Sequence, residues 1–113
     1  MNTDFTMTLD SAYDSAQRFI LQGRITSTNA NILQHKLEEA FREGHTRFIL
    51  NMRQVSMLTS AGIRVLLIFF KRAAASGGSF HVQDPSENVI NVLGLTALDE
   101  MLIEEEKGRE SLF

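Results

Sequence analysis

The stretch Val55-Ser-Met-Leu-Thr-Ser-Ala-Gly-Ile-Arg-Val-Leu-Leu-Ile-Phe-Phe-Lys71 decides the fold, because it joins an extended apolar segment to a long apolar helix. In its middle, Thr59-Ser60-Ala61-Gly62 places small hydroxyl side chains where they can accept hydrogen bonds from the free N–H groups that open a helix. The stop signal is Ser76-Gly77-Gly78, so the pattern predicts a helix from about Ser60 to Ala75. We expect any functional site at this junction, where Gly62 leaves the helix end without a side-chain screen.

This predicted helix carries two apolar faces, whereas a helix that packs on a single surface needs only one. The main face consists of Ile63, Leu66, Leu67, Phe70 and Ala74. The second face consists of Val65, Ile68, Phe69 and Arg72. Two interpretations of the second face stay open at this point. It is either buried under another helix or the terminal segment, or it is an exposed apolar patch that marks an interface.

Upstream, the alternation in Phe5–Leu9 and the apolar character of Gln17–Gln22 predict a β-hairpin whose second strand ends at Gly23. A first helix should begin after Ser27-Thr28-Asn29 and stop at Gly44. We expect its apolar face to bring together Ile32, Leu33, Leu37, Ala40 and Phe41.

The three adjacent apolar residues of Arg47–Asn51 are typical of a central strand that is covered on both faces. Downstream, Ser79–Gln83 predicts another strand, and a third helix is expected to be capped by Ser86 and to end at Gly94. The apolar face of that helix comprises Val89, Ile90, Val92 and Leu93.

The segment Met101–Ile103 could add a last short strand, and Glu104–Glu110 is a charged tail or a final helix. Strands that alternate with helices imply crossover connections and a parallel sheet. The prediction is an α/β fold with a mixed, mostly parallel sheet of four to five strands, about four helices and an N-terminal hairpin.

The bulk composition limits the class of protein. The 113 residues are 43% hydrophobic and 22% charged, which fits one domain, here 4–113, with one core. The net charge of −3 and the scattered basic residues argue against nucleic-acid binding. The absence of cysteine excludes disulfides and thiolate metal sites. The longest apolar run, Val65–Phe70, is far shorter than the ~20 residues that span a bilayer. With no signal peptide visible, we expect a cytoplasmic protein without membrane insertion.

No enzymatic constellation is visible, so we expect neither catalysis nor a cofactor or metal. The three histidines, His35, His45 and His81, have no ligand spacing, and Ser60 lacks the G-x-S-x-G surroundings of a hydrolase nucleophile. Nucleotide binding has no support beyond the helix start. Two interpretations of Ser60 stay open: an N-cap alone, or a regulated phospho-acceptor, because a helix N-terminus tolerates the phosphoryl charge well.

In order and spacing, the motifs resemble the STAS domain, which is shared by bacterial anti-sigma factor antagonists and the C-terminal regions of sulfate transporters. The family pattern is an apolar strand, Asp-Ser-Ser/Thr-Gly-Leu, an apolar helix and a Gly-Gly turn. The matching elements here are Phe48-Ile-Leu-Asn-Met52, Thr59-Ser-Ala-Gly-Ile63, Val65-Leu-Leu67 and Gly77-Gly78, flanked by Gly23-Arg-Ile-Thr26 and by Asp84-Pro85 through Gly94-Leu95. The resemblance covers Phe5 to Ile103 and implies a STAS-like fold.

The resemblance also implies a function, namely that of an anti-sigma factor antagonist that works by partner switching. In the family, the dephosphorylated form binds an anti-sigma factor serine kinase, the kinase phosphorylates the serine that aligns with Ser60, and a PP2C-type phosphatase reverses the modification. Thr59 is a second candidate acceptor. Thr59 and Thr26 stand where the family has acids, so this chain lacks two negative charges near the phospho-site.

The partner-binding surface that we expect surrounds Ser60 and includes residues of the second helix, of the stretch that leads into it and of the segment before the first helix. It comprises Arg24, Thr26, Thr28, Met57, Thr59, Ser60, Ala61, Gly62, Arg64, Val65, Ile68 and Phe69. A homodimer through the second helix is a further expectation. The alternative function is an unphosphorylated STAS subunit that serves as a structural partner of an ABC-type transporter ATPase or of a larger signalling complex.

Overall fold

The computed structural model describes residues 4–13, 16–96, 98 and 102–103 of the chain. Within them, four strands and three helices follow one another in an alternating order after an initial hairpin. The elements are β1 (Phe5–Tyr13), β2 (Ala16–Ile25), α1 (Ala30–Arg42), β3 (Arg47–Leu58), α2 (Ser60–Ala75), β4 (Ser79–Gln83) and α3 (Glu87–Leu95).

The four strands form one mixed sheet in the order β1-β2-β3-β4. β1 pairs antiparallel with β2, and the pairs β2–β3 and β3–β4 are parallel. The two parallel connections pass through α1 and α2 and step across the sheet in the same direction. Right-handed crossovers therefore place both helices on the same face, where they contact each other. The predicted α/β class, the mostly parallel sheet and the N-terminal hairpin are confirmed.

The hairpin strands are longer than predicted. β1 continues past Leu9 to Tyr13 with an irregularity between Leu9 and Ser11, and β2 continues through Gly23 to Ile25. Gly23 does not end its strand, because it adopts a φ of 101° at a point where β2 stays paired with both neighbours, Phe5 and Val55. A strand glycine with positive φ marks a bulge or a close approach, and both features are present here.

The third strand extends to Leu58, whereas the sequence predicted a compact strand that ends at Asn51. The additional half keeps β2 on one side, with Gly23 opposite Val55 and Ile25 opposite Leu58. On the other side, β4 pairs with β3 only as far as Asn51, and beyond that point the N-cap residue of α3 forms the hydrogen bonds to β3. The backbone N–H of Ser86 donates to the Met52 carbonyl at 3.1 Å, and the Ser86 hydroxyl donates to the Val55 carbonyl at 2.6 Å.

Helix α3 begins as predicted, since Ser86 Oγ accepts from the Val89 N–H at 3.2 Å. The prediction that Gly94 ends the helix is wrong, because α3 runs one residue further and Thr96 follows as its C-cap. Two members of its predicted apolar face, Val89 and Leu93, are buried, whereas Ile90 is 47% exposed.

The predicted last strand is reduced, in the described part of the chain, to one parallel bridge between Val82 and Ile103. The predicted charged tail or helix at Glu104–Glu110 lies outside the described residues. The described residues therefore contain three helices, where about four were predicted.

The predicted main face of α2 is only partly correct, because α2 packs against the sheet on one side and against α1 on another. Its buried residues are Gly62, Val65, Leu66, Phe69 and Ala73. Ala74, which was assigned to the main face, is exposed. Of the two interpretations of the second face, burial under another helix is correct for Val65 and Phe69, which are 5% and 1% exposed.

Arg72 of α2 contacts side chains of α1 near the C-termini of the two helices. The Arg72 guanidinium carbon lies 4.6 Å from the ring centroid of Phe41 and 4.9 Å from that of Phe69. Its Nη1 donates to Glu38 Oε1 at 2.7 Å. This hydrogen bond and the positive charge of Arg72 outweigh desolvation and hold the pKa of Glu38 below its usual value. Because α1 and α2 point in the same direction, their N-termini meet at the opposite end, beside Ser60.

Candidate functional site

The site lies at the carboxyl ends of β2 and β3, where these parallel strands lead into α1 and α2. In open parallel sheets, the crevice at this end is the usual place for a binding site. The register sets Arg24 opposite Met57 and Ile25 opposite Leu58. The segment that follows β2 is therefore a neighbour of Ser60, although more than thirty positions separate them in the sequence.

The two hydroxyl side chains at the start of α2 have different environments. Thr59 is the N-cap residue, but it makes no side-chain cap, because its Oγ1 donates to the Ile25 carbonyl at 2.9 Å. Its backbone N–H donates to the same carbonyl at 3.1 Å. Ser60 is exposed and, among the described residues, its hydroxyl has no hydrogen-bond partner. Thr59 therefore occupies the N-cap position without a side-chain cap hydrogen bond, Ser60 is the first helical residue and not the cap, and Ser60 presents the free hydroxyl.

The sequence suggested that Gly62 leaves the approach to the helix open, but the structure shows that it does not. It is buried and faces the sheet, where a Cβ atom would lie 2.7 Å from Ile25 Cγ2 and 2.7 Å from Leu58 Cδ1. Ile25 is fully buried and Leu58 is 4% exposed, so these side chains have little room to move. The glycine lets α2 start close to the ends of β2 and β3, and in this way it fixes the position of Ser60.

This packing predicts that Gly62→Ala destabilises the domain although alanine is the better helix former. Overpacking costs about 1–3 kcal/mol, and the gain in helix propensity offsets at most about 1 kcal/mol. Gly94→Ala in α3 is the matched control, since nothing lies within 4 Å of its added Cβ. We expect different results in urea unfolding: a lower midpoint for Gly62→Ala and an unchanged or higher one for Gly94→Ala. Equal stabilisation by both substitutions would contradict the close contact at Gly62.

A buried asparagine shapes the loop between β2 and α1. Asn29 is 2% exposed, its Oδ1 accepts from the Thr26 N–H at 2.9 Å, and its Nδ2 donates to the Arg24 carbonyl at 2.9 Å. The loop also bends through the Thr26 hydroxyl, which accepts from the Thr28 N–H at 3.3 Å. The sequence indicated Asn29 only as one of three cap candidates, whereas it holds in place the loop that carries two predicted surface residues, Thr26 and Thr28.

A groove of about 350 Å³ separates the N-terminal turns of α1 and α2 and contains Ser60 in its wall. Residues from both helices and from the loop before α1 line it: Ser27, Ala30, Asn31, Gln34, Ser60, Ala61, Arg64 and Val65. Among these residues Arg64 is the one that carries a charge. Neither helix has an acidic residue in its first turn. The groove is therefore polar to positive, which is an environment that suits an anion.

The structure brings together four predicted site residues in this groove, namely Ser60, Ala61, Arg64 and Val65. Four more, Arg24, Thr26, Thr28 and Met57, lie on or beside the adjacent strand ends, with Thr26 half-buried and the other three exposed. Sequence analysis missed Ser27, Ala30, Asn31 and Gln34 as groove residues. Asn31 and Gln34 are three residues apart at the start of α1, so they lie on one face, and this periodicity could have indicated these two.

Two predicted surface residues, Gly62 and Phe69, are buried, and a third, Val65, lines the groove but is only 5% exposed. Among the described residues of α2, Ile68 is the one large apolar side chain that is exposed, with 42% of its surface accessible. It lies one turn beyond Arg64. A homodimer through α2 stays a prediction, and Ile68 is the apolar contact that this helix would offer to it.

The described residues contain no group of three or more histidine, aspartate or glutamate side chains that could hold a metal ion. None of the helices that the structure describes is long and apolar enough to cross a membrane. The groove combines a free hydroxyl, a guanidinium group, two amides and backbone N–H groups of a first helical turn. Such groups can bind a protein surface or an anion.

A family model of the STAS domain matches residues 13–111 of the chain. Among solved structures, the unphosphorylated form of the anti-sigma factor antagonist SpoIIAA is similar, with a TM-score of 0.76, 20% identity and 95% and 96% of the two chains covered. The phosphorylated form of the Bacillus cell fate determinant SpoIIAA gives a TM-score of 0.70 at 19% identity, with 96% of this chain and 100% of that chain covered.

An anti-sigma factor antagonist from Mycobacterium paratuberculosis is also similar, with a TM-score of 0.77 at 18% identity and 98% and 96% coverage. At these identities the likeness establishes a common fold over nearly the whole chain. The family match covers most of the sequence and includes every element from β2 to α3. The chain belongs to the STAS domain family.

Proposed function

We propose that this protein is an anti-sigma factor antagonist whose binding to an anti-sigma factor serine kinase is controlled by phosphorylation of Ser60. The observation that carries the proposal is the exposed Ser60 hydroxyl, which is free of hydrogen-bond partners among the described residues and lies in the wall of a groove between two helix starts. The chain acts as a binding protein without catalytic activity of its own.

The chemistry of the switch is a phosphoryl transfer from ATP that the partner kinase supplies. The Ser60 oxygen forms the new O–P bond, the bond between the γ-phosphorus and the β,γ-bridging oxygen breaks, ADP leaves and the hydroxyl proton passes to a base of the kinase. A PP2C-type phosphatase hydrolyses the phosphoserine and restores the hydroxyl. Kinase, phosphatase and ATP share one compartment with the chain, which we place in the bacterial cytoplasm.

Thr59 is a weaker candidate acceptor than Ser60. Its hydroxyl is half-buried and donates to the Ile25 carbonyl, so a kinase would have to break this hydrogen bond before transfer. The two threonines at family acid positions, Thr59 and Thr26, are both held by local hydrogen bonds at the strand ends. We therefore propose that the partner contacts a surface that is less negative than that of the family pattern.

A calorimetric titration of the unphosphorylated chain with a co-encoded anti-sigma factor kinase tests the binding step. We expect a one-to-one complex and a negative heat-capacity change from burial of the apolar side chains Met57 and Ile68 at the interface. No binding to any kinase of this class, together with stable co-purification with a transporter ATPase that Ser60→Asp leaves unchanged, would instead establish the structural-subunit alternative.

A further inference from the structure

The cation nearest to Ser60 on its own helix is Arg64, and the two side chains share one face. Both residues are exposed, both line the groove between α1 and α2, and they are separated by one helical turn. Residues at i and i+4 are surface neighbours, with Cβ atoms about 5–6 Å apart. Helical side chains also tilt toward the N-terminus, so Arg64 extends over the turn that begins with Ser60.

Arg64 has no carboxylate partner in the described part of the chain. The ion pairs formed there join Arg18 to Asp10 and Arg72 to Glu38. The first turns of both helices lack acidic residues, and the lining of the groove contains none. The guanidinium group is therefore available, and neither an internal salt bridge nor a competing carboxylate has to be displaced before it can bind an anion on Ser60.

We infer that Arg64 is the intramolecular counter-ion of phosphorylated Ser60. This inference rests on the proposed function, since it concerns the modified state of that serine. A phosphoserine offers three acceptor oxygens and a charge of about −1.5 to −2. A guanidinium group matches such oxygens with two parallel N–H donors. Modification then has two consequences for a partner: it adds an anion, and it occupies the charged side chain of the groove.

The inference is tested by ³¹P NMR titration of protein that carries genetically encoded phosphoserine at position 60. Pairing with a cation favours the dianion, so Arg64 lowers the second pKa of the phosphoryl group, which is ordinarily about 6. We expect Arg64→Gln to raise this pKa by about half a unit, because screening limits the effect at an exposed site. Arg64→Lys is expected to restore part of the difference.

Lys71→Gln is the matched control, since it removes one positive charge from an exposed position further along the same helix. The spacing of seven residues places Lys71 about 10 Å further along the axis. Equal pKa values for the Arg64→Gln, Lys71→Gln and unsubstituted phosphoproteins would overturn the inference. Because the phosphoserine is encoded, the titration gives its answer whether or not a kinase modifies Ser60. A failure of the proposed function therefore remains distinguishable from a failure of this pairing.

Discussion

Phosphoserine at position 60 is expected to weaken binding of the anti-sigma factor kinase about a hundredfold, which corresponds to ~3 kcal/mol. The new group would lie in the groove wall that we propose as part of the docking surface, where it would bring a dianion and engage Arg64. Ser60→Asp adds a smaller side chain with half the charge, so we expect about a tenfold loss. Ser60→Ala keeps the surface neutral and is expected to bind like the unsubstituted protein.

The comparison is made by calorimetry with the same kinase preparation at fixed ionic strength, because surface electrostatics depend on salt. Ser76→Asp is the control for charge alone: it adds the same charge at the exposed C-terminal end of α2, roughly 24 Å away along the helix axis. We expect it to leave the affinity unchanged. Equal losses for Ser60→Asp and Ser76→Asp, or full affinity of the phosphoserine protein, would contradict a docking surface at the start of α2.

Gly23→Ala is expected to be among the most destabilising single substitutions in the chain. An added Cβ would lie 1.8 Å from the Asp4 carbonyl oxygen and 2.8 Å from its carbon, both of which are backbone atoms. The residue also has a φ of 101°, where a side chain costs about 1–2 kcal/mol. The start of β1 would have to move away, and with it the hydrogen bond from the Arg24 N–H to the Asp4 carbonyl, which measures 2.7 Å.

Gly44→Ala separates the two causes, because Gly44 has a φ of 98° but no atom within 4 Å of an added Cβ. Thermal unfolding of both variants should show a loss of about 1–2 kcal/mol for Gly44→Ala. For Gly23→Ala we expect at least about 3 kcal/mol, or roughly 10–20 °C in Tm. Equal losses would mean that β1 adjusts without cost. We also expect Gly23→Ala to lower the affinity for the kinase, since Gly23 precedes the segment that carries Arg24 and Thr26.

Local patterns were sufficient for much of the fold. The bounds of α2 and β4 follow directly from a long apolar run that ends in glycines and from a short alternating segment. The second half of β3 could not be predicted in this way, because its polar residues Arg53 and Gln54 interrupt the apolar pattern. What makes it a strand is β2 along one edge and the Ser86 contacts of α3 along the other, and both are remote in sequence.

The position of the candidate site could be predicted, but its internal contacts could not. Ser60 was indicated by a strand-to-helix junction and by the family resemblance. The role of Gly62 depends on Ile25, which comes 37 positions earlier in the chain. The hydrogen bond of Thr59 depends on the same residue. The burial of Val65 and Phe69 depends on the way α1 packs against α2. Each of these features is set by tertiary contacts that periodicity along a single helix does not contain.

The most direct test of the proposed switch is to map the phosphate after incubation of the chain with its kinase and ATP. Peptide mass spectrometry is predicted to find one phosphoryl group per chain, on Ser60, in the unsubstituted protein and in Thr59→Val. Ser60→Ala is predicted to bind the kinase and remain unmodified. A chain that binds the kinase but takes up no phosphate, or that carries it on Thr59 or elsewhere, would contradict Ser60 as the regulated residue.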